Sequence, residues 1–283
     1  MSETESAGGG NLLAVILDTN PSQASFIGQN PARFNQWIDG ALAFINSHLC
    51  LNQTNEATLI SSGSSSCSFL YHPSEGNEAL PEAIDGQFEG FRQVEVSVRT
   101  KLAQILAGEL QGPIVRQSLV AGGLCMALSY INRYLNERDG RKARILVLTA
   151  SGAASVHYMN YMNAFFTAQR LGVPIDACVL ERDSGLLQQG SDITGGRYFR
   201  LDKIEKFLQV LMWLFLPDID QRSQLGLPTP ANVDYRAACF CHRQLVDVGF
   251  VCSVCLSIFC KFTPICSTCH TVFANMLKKK SAK

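Results

Sequence analysis

The chain has 283 residues, 47% of them hydrophobic, with 24 basic and 24 acidic side chains. That is enough for one sizeable core and a small satellite, while a net charge near zero argues against a broad basic surface for nucleic acid. The longest apolar run, Phe207–Leu216, falls well short of the roughly 20 residues that a spanning helix needs. Met1–Ser6 lacks the basic start of a secretion signal, so a soluble intracellular chain is expected.

Leu12–Leu17 is apolar without alternation, which predicts a strand buried on both faces. Asp18 then falls at the C-terminal end of that strand, where open α/β sheets place their ligands. Asn30-Pro31 suits a helix start, with Asn as N-cap and Pro at N1. Phe34, Trp37, Ile38, Ala41, Ile45 and Leu49 follow at helical spacing. Ala57–Ile60 and Cys67–Tyr71 read as short strands around a polar turn, Ser61–Ser66. Pro73–Arg92, with Glu75, Glu78, Glu82, Asp85 and Glu89, reads as an acidic loop.

A second helix is marked by Val94, Val98, Leu102 and Ile105, and a third spans Leu119 to Leu135. The Gly122-Gly123 pair inside the third costs about 1–2 kcal/mol of helix propensity, so close packing is expected there. Arg144–Thr149 is a second buried strand. Met159, Met162, Phe166 and Leu171 mark a helix whose stripe is expected to face the core. Strands at Val173–Leu180 and Arg197–Leu201 follow. Lys203–Leu216 closes the series as a helix that is apolar almost all round in its second half, which implies burial on more than one side. Strands alternating with helices predict an α/β, doubly wound, mainly parallel sheet with helices on both faces. Pro217–Asp234, with three prolines and little periodicity, reads as a linker.

Of eleven cysteines, Cys50, Cys67, Cys125 and Cys178 are scattered through apolar segments and read as buried, inert thiols. The other seven lie between Cys239 and Cys269, a clustering that in a reducing compartment points to metal. Cys252-x2-Cys255 and Cys266-x2-Cys269 are two knuckles, each able to bring two thiolates to one ion, and together they complete a tetrahedron. This predicts structural zinc at Cys252, Cys255, Cys266 and Cys269. Cys239, Cys241, His242 and Cys260 leave two readings open. Either they bind a second zinc in a cross-braced, RING-like or ribbon module, or one ion binds and the spare thiols pack beneath it. Phe240, Phe250, Val251, Ile258, Phe259 and Phe262 are many apolar residues for so small a module, and some are expected to pack against the larger domain or a partner.

Three local patterns converge: Asp18-x-Asn20-x-Ser22, Leu148-Thr149-Ala150-Ser151-Gly152 and Thr194-Gly195-Gly196-x-Tyr198. Together they resemble a von Willebrand factor A-type domain. With the stretch Gly249–Cys260 added, residues 11–270 resemble the smaller of the two A-type, zinc-containing subunits of the general transcription and DNA-repair factor TFIIH. The resemblance implies an A-type domain over 11–216, a linker over 217–234, a C4-type zinc module over 235–275 and a basic tail over 276–283. It implies a nuclear, non-enzymatic subunit of the TFIIH core that binds other core subunits, chiefly the larger A-type/zinc subunit, and supports initiation by RNA polymerase II and nucleotide excision repair. Any DNA contact is then at most indirect, and no membrane or small-molecule substrate is expected.

Many A-type domains hold Mg²⁺ through Asp-x-Ser-x-Ser and a later aspartate. Here Asn20 replaces the middle serine and Ala150-Ser151 supplies no carboxylate, so the site of Asp18, Asn20 and Ser22 is expected to be degenerate and empty. No phosphate-binding loop or nucleophile elbow is present, and His48, His72 and His157 lack evident catalytic partners. Two alternatives stay open: a RING-like ubiquitin ligase component, and a nucleic-acid-binding zinc module using a C-terminal segment in which seven Lys/Arg face one acid.

Overall fold

The computed structural model describes residues 10–20, 31–73, 89–109, 117–137, 140–150, 157–228, 233–242 and 244–273. The chain forms two compact units that part after Val233. The larger is built on six strands: β1 (Asn11–Asp18), β2 (Glu56–Ser62), β3 (Cys67–Tyr71), β4 (Lys142–Thr149), β5 (Ile175–Leu180) and β6 (Tyr198–Leu201). Their order is β3-β2-β1-β4-β5-β6, parallel throughout except that β3 runs antiparallel to β2. With helices on both faces, this is the von Willebrand A-type architecture.

The unbroken apolar run of β1 follows from its central position, since every residue from Leu12 to Leu17 is buried. Leu13, Val15 and Leu17 share one core with helix α1 (Pro31–Leu51), helix α2 (Glu89–Glu109) and the closing helix, through Trp37, Phe44, Val94, Val98, Phe207 and Phe215. On the other face Ile16 meets helix α3 (Val120–Glu137) at Gly123, where an added Cβ would stand 3.0 Å from Ile16 Cγ2. The glycine pair therefore permits the close approach that its helix cost implied. Asp18 lies in register with Ser62 of β2, and its neighbour Leu17 pairs with Leu148 of β4. It thus sits where the strand order reverses, the position at which open sheets hold ligands.

Several features depart from expectation. Of the four scattered thiols Cys178 is buried and Cys67 is half-buried, but Cys50 and Cys125 are exposed, because an apolar helix segment still turns part of its circumference to solvent. Helix α4 (Tyr158–Leu171) buries Tyr161, Ala164, Phe165 and Ala168, while Met159 is 44% and Phe166 54% exposed. Two stripes with helical period coexist in this segment, and the one of small and ring side chains wins the core because Phe165 seats in the notch left by Gly190. That glycine belongs to helix α5 (Gly185–Thr194), which sequence reading passed over. Ser184 caps its start by accepting from Leu187 N, and Gly195 ends it in the left-handed region at φ 73°. Strand β2 runs on through Ser61 and Ser62, both buried, where a flexible turn was expected. The expected acidic loop lies mostly outside the described residues, and α2 already begins at Glu89.

The closing helix is composite: a 3-10 turn at Ile204–Lys206, helix α6 (Phe207–Val210) and a π turn at Leu211–Phe215. It buries Phe207, Leu211 and Phe215 but leaves Leu208 and Trp213 exposed, so it is not covered on every side. Its last carbonyls are held by buried Arg144, which donates to Phe215 O, Leu216 O and Pro217 O. The expected linker is also partly structured. Helix α7 (Ile219–Arg222) brings Arg222 into a bidentate pair with Asp176, both buried, at 2.8 and 2.6 Å. A helix of one turn carries no periodic signal, which is why composition alone suggested a linker. No described helix is long and apolar enough to cross a membrane.

Candidate metal centre

Two places in the sequence offered metal chemistry, and the structure treats them differently. At the end of β1, Asp18, Thr19 and Asn20 are all buried. Thr149 Oγ1 donates to Asp18 Oδ2 at 2.6 Å across the β1–β4 seam, and Asn20 N donates to Asp18 Oδ1 at 3.2 Å. Both carboxylate oxygens thus accept hydrogen bonds from the chain's own groups. Ser22 and Ser151 lie outside the described residues.

The described residues of the smaller unit form three short ribbons, each with cysteine or histidine side chains at its turn or just beside it. Strands β7 (Ala237–Ala238) and β8 (Leu245–Val246) flank Cys239, Cys241 and His242. Strands β9 (Phe250–Val251) and β10 (Ile258–Phe259) flank Cys252 and Cys255, with Cys260 just after β10. A single bridge between Ile265 and Val272 encloses Cys266 and Cys269. The two CxxC turns are built alike. Cys252 N donates to Ser257 O and Leu256 N to Cys252 O, while Cys266 N donates to Thr271 O and His270 N to Cys266 O, all at 2.9 Å. The residue after each second cysteine, Leu256 or His270, takes a left-handed φ of 58° or 60°. A side chain tolerates that strain only when the surroundings fix the turn.

The four thiols of Cys252, Cys255, Cys266 and Cys269 converge within 4.8 Å of one another. Cys252–Cys269 and Cys255–Cys266 separations are 3.7 and 3.6 Å. Metal–sulfur bonds of about 2.3 Å in a tetrahedron give S···S edges of about 3.8 Å, so the spacing fits one soft ion. The pKa of the Cys252 thiol, which lies beside the Cys255 and Cys269 sulfurs, moves up to about 11. Hydrogen bonding to the side chain and backbone of Ser257 brings the Cys255 thiol down to about 6, and Thr271 lowers Cys269 in the same way. Such bonds favour the thiolate, the form that binds metal. Cys239, Cys241, His242 and Cys260 form a second convergent set, also within 4.8 Å. Either cluster can hold a metal ion.

Among the described residues of this unit few apolar side chains are buried. Phe259 is buried against Cys252 and Cys266, with Phe240 and Phe273 packed beside them. Phe250 and Val251 stay half exposed and, with Phe259, Phe262 and Phe273, line a hollow of about 420 Å³.

An A-type sheet joined in one chain to a cysteine-rich module whose clustered thiols can hold metal ions defines a class of two-unit proteins. Residues 10–270, spanning both units, match the family described as transcription factor Tfb4, and the chain belongs to that family. It is 36% identical to the general transcription and DNA repair factor IIH subunit tfb4 of Schizosaccharomyces pombe, with 93% of this chain and 89% of that protein covered. It is 39% identical to the TFB4 subunit of Arabidopsis thaliana, over 94% and 89% of the two chains. The crystal structure of the TFIIH p34 N-terminal domain superposes with a TM-score of 0.61 at 28% identity, covering 74% of this chain and 99% of that one.

Proposed function

We propose that this chain is a nuclear, non-enzymatic subunit of the TFIIH core, which binds the larger A-type/zinc subunit and supports promoter opening and nucleotide excision repair. The observation that carries the reading is the family match across both units, with near-complete coverage of relatives named as TFIIH subunits. Zn²⁺ is the ion proposed for Cys252, Cys255, Cys266 and Cys269, where four thiolates at tetrahedral spacing leave no open position for catalysis. Its part is structural: it closes two knuckles that have almost no apolar core of their own. The exposed aromatic hollow beside it, and the exposed Trp213 on the larger unit, are surfaces on which partner side chains would gain most from burial.

Affinity purification of the tagged full chain from nuclear extract tests this. Recovery of the remaining core subunits, the larger A-type/zinc subunit foremost, is expected, and their absence would sink the proposal. The interleaving of the two ligand sets along the chain is what a RING-like ligase would share. An E2-dependent ubiquitin-chain assay is expected to give no chains above the level seen without the protein.

A further inference from the structure

We propose that the module holds a second zinc ion, ligated by Cys239, Cys241, His242 and Cys260. This rests on the same reading of the module as a zinc fold but concerns a different set of side chains. In sequence the set is unconvincing, because Cys241 and His242 are adjacent and neighbouring side chains normally diverge. The turn that carries them removes the objection. His242 Nδ1, the ring nitrogen nearer the backbone, stands 3.2 Å from Cys260 Sγ, and Cys241 Sγ stands 3.4 Å from the same sulfur. Those contacts are far longer than a disulfide bond of about 2.05 Å and close to the edges of a small tetrahedron around one ion.

A second feature is independent of these distances. Cys239 N donates to Gln244 O at 2.9 Å, the same five-residue closure made by Cys252 N to Ser257 O and by Cys266 N to Thr271 O. The first ribbon is thus a third knuckle, built on the pattern of the two whose spacing is diagnostic. Its fourth ligand, Cys260, lies beyond the Cys252–Cys255 knuckle and before the Cys266–Cys269 knuckle, so the two ligand sets interleave. Among the described residues, the β7–β8 ribbon is tied to its neighbour by the bond from Phe240 N to Ile258 O and by the packing of Phe240 against Phe259 and the cysteine cluster. Two-residue ribbons cannot stand on so little.

The two sites also differ in exposure. In the four-cysteine set Cys252 and Cys266 are buried and Cys255 and Cys269 half-buried, whereas in the second set Cys239 is buried and Cys260 half-buried but Cys241 and His242 are exposed. The second ion is therefore the one that exchanges first, and its loss frees the first ribbon while the four-cysteine centre persists. Its charge differs as well: three thiolates and a neutral imidazole leave a net charge of about −1, against about −2 for four thiolates.

Elemental analysis of the purified full chain is expected to give two zinc per chain. Cys241→Ser and His242→Ala should each lower this to one, while His242→Cys, which restores a donor, should keep two. A chelator should remove the two equivalents in separate phases, and only the slow phase should survive in Cys241→Ser. One zinc in the unaltered protein, lost on Cys252→Ser but indifferent to Cys241→Ser, would overturn the second site and leave the first standing. Two equivalents in both Cys241→Ser and His242→Ala would overturn it too, and no zinc at all would overturn both sites together.

Discussion

In the larger unit Trp37, Phe44, Phe165, Phe207 and Phe215 are all under 2% exposed, and six strands share the load. In the smaller unit the buried apolar groups among the described residues are Ala238, Phe259 and the thiols of Cys239, Cys252 and Cys266. Around them Val251, Val254, Leu256, Ile265 and Val272 are each more than half exposed. One unit coheres by hiding carbon from water. The other leaves carbon outside and gathers sulfur within, so its cohesion depends on whatever bonds to the sulfur. The same contrast appears at the two candidate metal sites: Asp18 is occupied by donors from its own sheet, while the thiols face chiefly one another.

The contrast breaks hardest on metal removal. Cys252→Ser, or exhaustive chelation, should unfold the smaller unit and leave the larger one intact. Structural zinc contributes on the order of 10 kcal/mol or more in small modules, beyond what so few buried residues supply. Amide hydrogen exchange on the full chain reads both units at once. Protection should vanish from Ala237 to Phe273 and persist in β1 and β4, and equal loss in both units would erase the distinction drawn here.

A second test strikes the larger unit alone. Asp176→Ala leaves Arg222 buried without its partner, which typically costs about 3–5 kcal/mol. The midpoint of chemical unfolding of the sheet should fall accordingly while zinc content holds. Asp176→Leu combined with Arg222→Met should recover most of the loss, since a well-packed apolar pair can replace a buried ion pair.

A third test uses acid. His48 is fully buried, its Nε2 3.2 Å from Asn11 O. Burial first, and then the charge of Arg144, lowers its pKa from 6.5 to about 4. The unfolded chain therefore binds more protons between those values, and stability contributed by neutral His48 is present above pH 6.5 and lost as pH falls toward 4. The full shift corresponds to about 3 kcal/mol. Unfolding of the larger unit measured from pH 7 to pH 4 should show this slope, and His48→Gln should flatten it.

What the sequence disclosed divides along the same line. Strands β1 and β4 and helices α1 to α3 could be read because burial on one or two faces leaves an apolar period. Helix α5 could not, since Gly185, Gln188, Gln189, Gly190, Ser191 and Asp192 dilute the stripe, although Ser184 and Gly195 mark its ends. Helix α4 was found with the wrong face inward, because period alone does not choose between two stripes and only Gly190 decides. In the smaller unit the CxxC spacing marked four cysteines whose thiols the structure brings together. The convergence of Cys239, Cys241, His242 and Cys260 depends on a turn geometry that adjacency in sequence argues against.

The smallest effect is expected at Asp18, and it tests the other half of the contrast. If the carboxylate serves only the sheet, Asp18→Ala costs the hydrogen bonds from Thr149 and Asn20, about 1–2 kcal/mol for buried groups left unmet. Asp18→Asn keeps an acceptor for Thr149 and should cost less. Neither change should alter zinc content or the recovery of partner subunits, and millimolar Mg²⁺ should not shift the unfolding midpoint of the unaltered chain. A full Mg²⁺ site would need oxygens to replace most of an octahedral water shell, and Asn20 and Ala150 supply no second or third carboxylate. Titration calorimetry on the full chain decides the matter. Micromolar Mg²⁺ binding that Asp18→Ala abolishes would show that the sheet's carboxylate can release Thr149 for an ion, and that the larger unit, like the smaller, answers to metal.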